Sequence, residues 1–318
     1  MEQQNIQRFY EAAGALSDRV QAALRRVDSA TAAGVQEIRM RAGRPLALYM
    51  GDRHLFVEQS GACRSSPGPQ SFLVTRADLF ESFRTLCGYS VHTHQAELAH
   101  GYISVAGGHR AGVCGTVSGE GERAGAVRDI LSINLRIARQ VKGIALPVAR
   151  KLFADGLCGV LVAGAPASGK TTLLRDLARV LSSGELGEYY KVSVVDERCE
   201  LAAVSGGMPC NDLGLCTDLL CGYPKSVGIE MAVRTLSPQV IICDEVGRQD
   251  ELEAIRMGLY SAVQVIATVH CAGEEELLRR PQARALLETG AFQKVALLEG
   301  SAHPGQVRRV LDAAQLCG

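Results

Sequence analysis

The sequence has no excess of charge of either sign and few aromatic residues. Lys plus Arg and Asp plus Glu each number 34, so the formal net charge is zero, and aromatic residues make up 5% of the chain. Proteins that coat nucleic acid usually carry a basic surplus, and single-strand binders stack bases on aromatic side chains. The composition therefore argues against a DNA translocase or recombination ATPase, and we expect no nucleic-acid partner.

Long apolar runs are also missing. No segment reaches the roughly 20 apolar residues of a membrane-spanning helix, and the longest candidate, residues 157–167, is short. The polar residues 1–5 do not resemble a basic-then-apolar signal peptide. We expect a cytoplasmic protein that is at most peripheral at the inner face of a membrane.

The cysteines show no disulfide framework. There are 11 of them, an odd number, and no C-x-x-C pair occurs. Secreted chains of this kind tend to pair their cysteines, whereas a reducing compartment keeps them as thiols. We therefore expect free thiols, and the spacing of Cys210, Cys216 and Cys221 argues against a zinc site.

The first part of the chain has a mixed pattern. Residues 9–27 have helical apolar spacing, Thr75 is placed to cap a helix that Gly88 ends, and the Gly-rich residues 119–125 predict a loop. Alternating or apolar runs predict strands at residues 35–41, 45–50, 101–105, 111–117 and 132–137. We predict an α+β domain over residues 1–141.

The pattern changes near residue 142 to an alternation of strands and helices. Strands are predicted at residues 159–163, 191–195, 240–243, 263–267 and 295–298. Helices are predicted at residues 170–181, 224–236, 249–260 and 274–288. Such alternation predicts an α/β domain over residues 142–318, with a mostly parallel sheet covered by helices.

A glycine-rich loop follows the first of these strands. It consists of Gly164-Ala165-Pro166-Ala167-Ser168-Gly169-Lys170-Thr171, and Thr172 continues into a helix. The glycines let successive N–H groups face a phosphate, and the helix N-terminus adds partial positive charge. Lys170 is placed to reach the β- and γ-phosphates, and Thr171 to bring a hydroxyl to Mg²⁺. A chance turn would not fill every fixed position, so the sequence predicts a nucleotide-binding loop. No guanine-reading Asn-Lys-x-Asp run is present, which favours ATP.

Acidic residues end two other apolar strands. We expect Asp244 to hold Mg²⁺ through a water and Glu245 to orient or deprotonate the attacking water. The alternative for Asp244 is a simple helix cap. A second acid favours hydrolysis over transfer to an acceptor. Glu197 is placed either to position the nucleophile or a metal-bound water, or to form a surface ion pair with Arg198.

A histidine and two arginines complete the candidate set. His270 ends a strand, where it would sense the γ-phosphate, contact a neighbouring subunit or serve the structure alone. An arginine beside the γ-phosphate is worth about 10³-fold or more in rate. Arg110 follows a hairpin turn and Arg136 lies on the polar face of its strand. We predict that one of these two arginines closes onto the nucleotide. A surface ion pair is the expectation for Arg248.

The strand ends together resemble the secretion-type ATPases of type II and type IV secretion and of pilus retraction. The glycine-rich loop (a Walker A motif), an acidic box (Val195-Asp196-Glu197-Arg198), the strand end Asp244-Glu245 and Thr268-Val269-His270 occur in the order seen there. Further segments resemble the stage III sporulation AA family more closely: Glu37-Ile38-Arg39-Met40-Arg41, Gly107-Gly108-His109-Arg110, Ser132-Ile133-Asn134-Leu135-Arg136 and Tyr223-Pro224-Lys225. The resemblance covers nearly the whole chain.

This resemblance implies more than the residues do. It implies a RecA-like P-loop NTPase core behind a smaller N-terminal domain, using ATP and Mg²⁺. It implies a ring, expected to be a hexamer, that works from the mother-cell cytoplasm with membrane proteins of a sporulation channel to the forespore. Cys216 stands where the family usually has an arginine. The alternative is therefore a nucleotide-binding scaffold that hydrolyses ATP slowly or not at all.

Overall fold

The computed structural model describes residues 2–99, 101–117, 127–205 and 207–316. The chain forms two compact units. Unit 1 comprises Met1–Arg139 and Val204–Cys210, and unit 2 comprises Gln140–Ala203 and Asn211–Gly318. The first division falls beside the predicted boundary at residue 141, whereas the pattern gave no sign that residues 204–210 belong with unit 1. The loop predicted at residues 119–125 lies outside the described residues.

Unit 1 is built on an antiparallel sheet. Its strands are β1 (Glu37–Arg41), β2 (Ala47–Tyr49), β3 (His54–Val57), β4 (Cys63–Arg64), β5 (Tyr102–Val105), β6 (His109–Val117) and β7 (Val127–Arg136). Their order is β4-β3-β2-β1-β7-β6-β5, and every pairing is antiparallel. Ile38, Ile133 and Leu135 alternate with polar residues and are fully or almost fully buried, because one face of the sheet packs on the core.

Five α-helices accompany this sheet in the described part of unit 1: α1 (Glu2–Gly14), α2 (Asp18–Leu24), α3 (Ser29–Gly34), α4 (Arg76–Leu86) and α5 (Gln95–Ala99). The helical pattern of residues 9–27 is therefore divided between two helices. Thr75 caps α4 as predicted, and together with Asp78 it forms a capping box in which each side chain accepts the other's backbone N–H. A short hairpin of β10 (Val204–Ser205) and β11 (Met208–Pro209) completes the unit.

Unit 2 contains a second seven-stranded sheet. Its strands are β8 (Val160–Gly164), β9 (Val192–Asp196), β12 (Thr217–Cys221), β13 (Val240–Cys243), β14 (Gln264–His270), β15 (Lys294–Leu298) and β16 (Val307–Asp312). The order is β12-β9-β13-β14-β8-β15-β16, and all pairings except β15–β16 are parallel. Strands β8, β9 and β13 are buried along their whole length, as central strands of a covered parallel sheet are.

The described helices of unit 2 are α6 (Leu146–Leu152), α7 (Lys170–Ser182), α8 (Lys225–Thr235), α9 (Gln249–Tyr260), α10 (Glu274–Arg279) and α11 (Pro281–Glu288). The single helix predicted at residues 274–288 is wrong. Pro281 lacks a backbone N–H and disfavours helical geometry at the preceding residue, and Arg280 is extended at φ −75° and ψ 120°. The chain therefore starts a new helix at Pro281.

No helix in the described ranges is both long and apolar enough to cross a bilayer. In unit 2 the parallel strands bring the ends of β8, β9, β13 and β14 to one edge of the sheet. Ligands of open α/β sheets bind at this carboxyl edge. The predicted loop, acids and histidine all follow or end these strands.

Candidate nucleotide site

The glycine-rich loop connects β8 directly to α7. Ala167 and Gly169 have left-handed backbones, with φ of 60° and 87°. The N–H of Ser168 donates to the Ala165 carbonyl over 3.2 Å. The Ser168 hydroxyl is buried and has no hydrogen-bond partner among the described residues. These turns curl the loop ahead of the helix N-terminus, which is the arrangement that presents backbone N–H groups to an anion.

Lys170 is held inside this loop. Its Nζ donates to the carbonyls of Gly164 and Ala165, both over 3.0 Å, and lies 3.1 Å from Nδ1 of His270. An ammonium only donates, so Nδ1 is the acceptor and Nε2 carries the proton. That Nε2 donates to Oε1 of Glu245 over 2.7 Å. Burial lowers the pKa of Lys170, against the opposing effect of Asp244 and Glu245.

A second chain of contacts joins the loop to β13. The Thr171 hydroxyl lies 2.6 Å from Oδ2 of Asp244, and the Thr268 hydroxyl donates to Oδ1 of the same carboxylate. The register of β13 and β14 explains the contact between Thr268 and Asp244. Cys243 pairs with Ala267, so the residues that follow them, Asp244 and Thr268, are neighbours. A hydroxyl and a carboxylate side by side are the hard oxygen donors that Mg²⁺ prefers. The residues present therefore fit this ion, with Thr171 and Asp244 as its holders.

The acidic box divides between two tasks. The Asp196 carboxylate accepts the N–H groups of Glu200 and Ala202, each over 2.9 Å, and so closes the turn after β9. Burial raises the pKa of Asp196, while these N–H groups oppose the rise. Asp196 is therefore committed to the backbone. Glu197 is the acid of this pair whose carboxylate does not close the turn.

Glu197 is ion-paired, but its partners do not include Arg198, which was one of the two alternatives for this residue. Its Oε2 lies 3.4 Å from Nζ of Lys225, and its Oε1 lies 3.8 Å from Nη2 of Arg248. Arg198 is instead 3.8 Å from Oε2 of Glu245. Glu197, Lys225 and Glu245 line one cleft together with Asp196 and Asp244. The structure thus brings the predicted acids to one place and adds a lysine.

The cysteines at this edge differ from expectation. Cys199 and Cys221 form a disulfide with Cα atoms 5.5 Å apart, so the prediction of free thiols is wrong for this pair. Cys221 pairs in register with Asp196, and the turn that Asp196 closes returns Cys199 to the same place. Free thiols in the described part are Cys63, Cys87, Cys114, Cys158, Cys210, Cys216, Cys243 and Cys271.

Cys216, at the position where the resemblance implied an arginine, lies at the other edge of the sheet. It directly precedes β12, whose residue Thr217 pairs with Val192 at the start of β9. Its carbonyl accepts the N–H of Val192 over 3.0 Å. The parallel strands run from this edge to the edge that carries the glycine-rich loop of residues 164–171. A side chain at position 216 therefore does not border the phosphate loop of its own unit.

The two candidate arginines lie in unit 1. Arg110 on β6 and Arg136 on β7 are direct cross-strand partners. The Arg136 side chain is 70% exposed and lies 3.1 Å from Oε1 of Glu37, while the Arg110 guanidinium stacks 4.6 Å from the Tyr102 ring centroid. Cross-strand partners share one face of a sheet, so both guanidinium groups lie on the polar face that the alternation predicted for Arg136. Their role toward nucleotide stays a prediction.

Three further side chains support this site, although the sequence alone assigned no role to them. Thr268 is fully buried and joins Asp244 to the Glu245 backbone. Arg175 on α7 donates to the carbonyls of Glu200 and Leu201, each over 2.8 Å, and so supports the acidic-box turn. Lys225 begins α8. Their contacts come from strand register and helix packing, and no local spacing in the sequence indicates them.

Solved structures define the class of fold. The ATPase DotB of Legionella pneumophila matches with a TM-score of 0.52 at 15% identity, covering 83% of this chain and 72% of DotB. The pilus retraction motor PilT, solved with bound ADP, matches with a TM-score of 0.54 at 15% identity, covering 83% of this chain and 74% of PilT. The fold is that of the P-loop secretion ATPases, which confirms the RecA-like core.

Sequence comparison gives the family. The model described as Sporulation stage III, protein AA, matches residues 7–315. Stage III sporulation protein AA of Bacillus subtilis (strain 168) is 36% identical over 279 residues, which cover 87% of each chain. This chain belongs to the stage III sporulation AA family, as the sequence resemblance predicted. It is a sporulation-family protein with the fold of a secretion ATPase.

Proposed function

We propose that the chain binds Mg²⁺-ATP on the loop of residues 164–171 and hydrolyses it. The contact network from Lys170 through His270 to Glu245 is the main support. It connects the lysine that would bind phosphate to the acid that would act on water. Thr171 and Asp244 would hold the metal, which, when bound, neutralises phosphate charge.

Each protein group has a defined task in this proposal. When phosphate binds, Lys170 exchanges its acceptors within the protein, the two loop carbonyls and Nδ1 of His270, for phosphate oxygens. Nδ1 of His270 thereby loses its hydrogen bond. His270 then reports phosphate occupancy to Glu245 through Nε2. The Glu245 carboxylate, 39% exposed, orients the attacking water and accepts its proton. Glu197 helps to place the same water.

The larger role follows from the family. We propose that turnover drives a ring, expected to be a hexamer, and energises assembly of or transport through a channel between mother cell and forespore. Membrane proteins of that channel would be the partners. Cys216 supports the alternative of a slow scaffold, but its place at the far edge of the sheet leaves the chemistry of its own unit intact.

Glu245→Gln tests hydrolysis. We expect steady-state phosphate release to fall by about 10²-fold or more, while the affinity for Mg²⁺-ATP measured by calorimetry stays the same. Glu253→Gln, an exposed acid on α9, is the matched control and keeps wild-type turnover. Undiminished turnover in Glu245→Gln would contradict the assigned role. A wild type that binds ATP without turnover would establish the scaffold instead.

The same assay tests the arginines. Arg110→Ala or Arg136→Ala lowers turnover by at least about tenfold if that side chain stabilises transition-state charge. Arg64→Ala, an exposed ion-paired arginine of unit 1, serves as control. If neither variant reaches that loss, the arginine is supplied elsewhere.

A further inference from the structure

Glu245 has an unusual backbone for a catalytic candidate. Its φ of 50° is in the left-handed region, which is strained for a residue with a side chain. Side chains from other elements hold both of its backbone polar groups. The N–H donates to the Thr268 hydroxyl over 2.7 Å, and the carbonyl accepts from Nζ of Lys225 over 2.8 Å. The direction of the Glu245 carboxylate therefore depends on these two side chains.

Lys225 is surrounded by acceptors. Its side chain is 14% exposed, and its Nζ lies 3.4 Å from Oε2 of Glu197 and 3.6 Å from Oε1 of Glu251. The Glu251 side chain is only 2% exposed. A buried carboxylate needs a nearby cation or hydrogen-bond donors, and an ammonium offers three donors at once. One lysine thus connects both candidate acids to a buried carboxylate of α9.

The place of Lys225 on its helix works against helix stability. It is the first residue of α8, after Pro224. A cation at a helix N-terminus is unfavourable, because that end already carries partial positive charge. Because Lys225 is unfavourable for its own helix and lines the candidate cleft, we expect its role to lie outside the helix.

We propose that Lys225 is a positioning residue for hydrolysis. It holds the Glu245 carbonyl, and so the left-handed turn that aims the Glu245 carboxylate, and it keeps Glu197 in the same cleft. Among the described residues its polar contacts are with Glu197, Glu245 and Glu251, and not with the phosphate loop. Loss of Lys225 therefore lowers turnover without weakening nucleotide binding. This inference rests on the proposed function.

Lys225→Met tests the inference, because methionine keeps the volume and removes the donors and the charge. We expect kcat for ATP to fall at least about tenfold, with the affinity for Mg²⁺-ATP within about twofold of wild type. Lys225→Arg keeps a charged donor and recovers part of the turnover. Lys191→Met, at an exposed position at the amino edge of the same sheet, keeps wild-type values.

The outcomes separate the inference from the proposed function. If the wild type hydrolyses ATP and Lys225→Met has the same kcat, the positioning role is overturned but the proposed function is not. The same holds for a loss in Lys225→Met that appears as weaker ATP binding, or one that Lys225→Arg does not relieve. A wild type without turnover overturns the proposed function and this inference together. If Lys225→Met does not fold, Lys225→Gln, measured in the same way, decides.

Discussion

His109 is a buried titratable residue of unit 1. Its side chain is fully buried, and Nδ1 accepts the N–H of Ala138 over 3.0 Å. Nε2 is buried and has no hydrogen-bond partner in the described part of the chain, with Oε2 of Glu11 at 3.8 Å. Burial lowers the pKa of His109 to about 4, a shift that Glu11 opposes and Arg8 adds to. Protonation of this ring therefore acts against the fold.

The sign of the pH effect follows from this shift. The folded-state pKa is below the ordinary 6.5, so His109 stabilises unit 1 above pH 6.5 and loses that contribution as the pH falls from 6.5 toward 4. Linkage gives a loss of about 2 kcal/mol in the free energy of unfolding from about pH 7.5 to pH 5. Denaturant unfolding of His109→Gln should lack that loss, whereas His54→Gln, at an exposed position, should keep it. Parallel pH curves for wild type and His109→Gln would contradict the account.

At the level of residues, sequence motifs predicted which side chains meet but not what holds them. Lys170, Asp244, Glu245 and His270 each end or follow an apolar strand, and parallel strands gather such residues at one edge. The support of Thr268 depends on strand register, which no local pattern fixes. The ion pair between Glu197 and Lys225 was not predictable for a similar reason, because Lys225 reaches Glu197 from a separate helix.

At the level of elements, the turn between β15 and β16 braces the phosphate loop. The N–H of Gly305 donates to the Ser168 carbonyl over 2.7 Å. Gly169 is left-handed, and a Cβ there would clash with the nitrogen of Gly305 and lie 2.8 Å from the carbonyl carbon of Pro304. These neighbours are backbone atoms, which cannot rotate away as a side chain does.

Gly169→Ala is therefore expected to cost more than backbone strain alone. Gly143 is the matched control, since it is left-handed at φ 82° but a Cβ there meets nothing within 4 Å. We expect Gly143→Ala to lower the free energy of unfolding by about 1 kcal/mol, and Gly169→Ala by about 3 kcal/mol. Denaturant titration of both variants measures the difference. Equal losses would mean that the turn does not brace the loop.

The pattern of elements in unit 2 was largely predictable. Buried parallel strands are continuous apolar runs, and the helices between them have clear periodicity. The strands β12 and β16 at the two ends of the sheet were not predicted. Edge strands are partly exposed, so their sequences lack the continuous apolar run that marks β8 or β13. The break between α10 and α11 has a sequence signal in Pro281, because a proline disfavours helical geometry at the residue before it.

At the level of the whole molecule, family resemblance indicated two parts and a ring. A ring with nucleotide-dependent assembly should change its mass with Mg²⁺-ATP. We expect particles near the 33.9 kDa monomer without nucleotide and a ring of several copies with it. Mass photometry of wild type and Lys170→Ala measures this, with the variant remaining small. Identical masses with and without Mg²⁺-ATP would contradict nucleotide-driven assembly.

The division of the chain was predictable in part. The change from an α+β pattern to strand–helix alternation is visible near residue 141, because the two parts use different periodicities. The strands β10 and β11 are only two residues long each, which is too short for a periodicity that would show which unit they join. Only their three-dimensional contacts assign them to unit 1.

Calorimetric titration of Mg²⁺-ATP into wild type and Lys170→Ala tests the central claim most directly. We expect heat of binding with wild type and an affinity at least about tenfold weaker in Lys170→Ala, because a charged hydrogen bond to phosphate is lost. Lys151→Ala, an exposed lysine at the end of α6, should bind as wild type does. No heat with wild type, or equal affinity in Lys170→Ala, would contradict the assignment of the nucleotide to this loop.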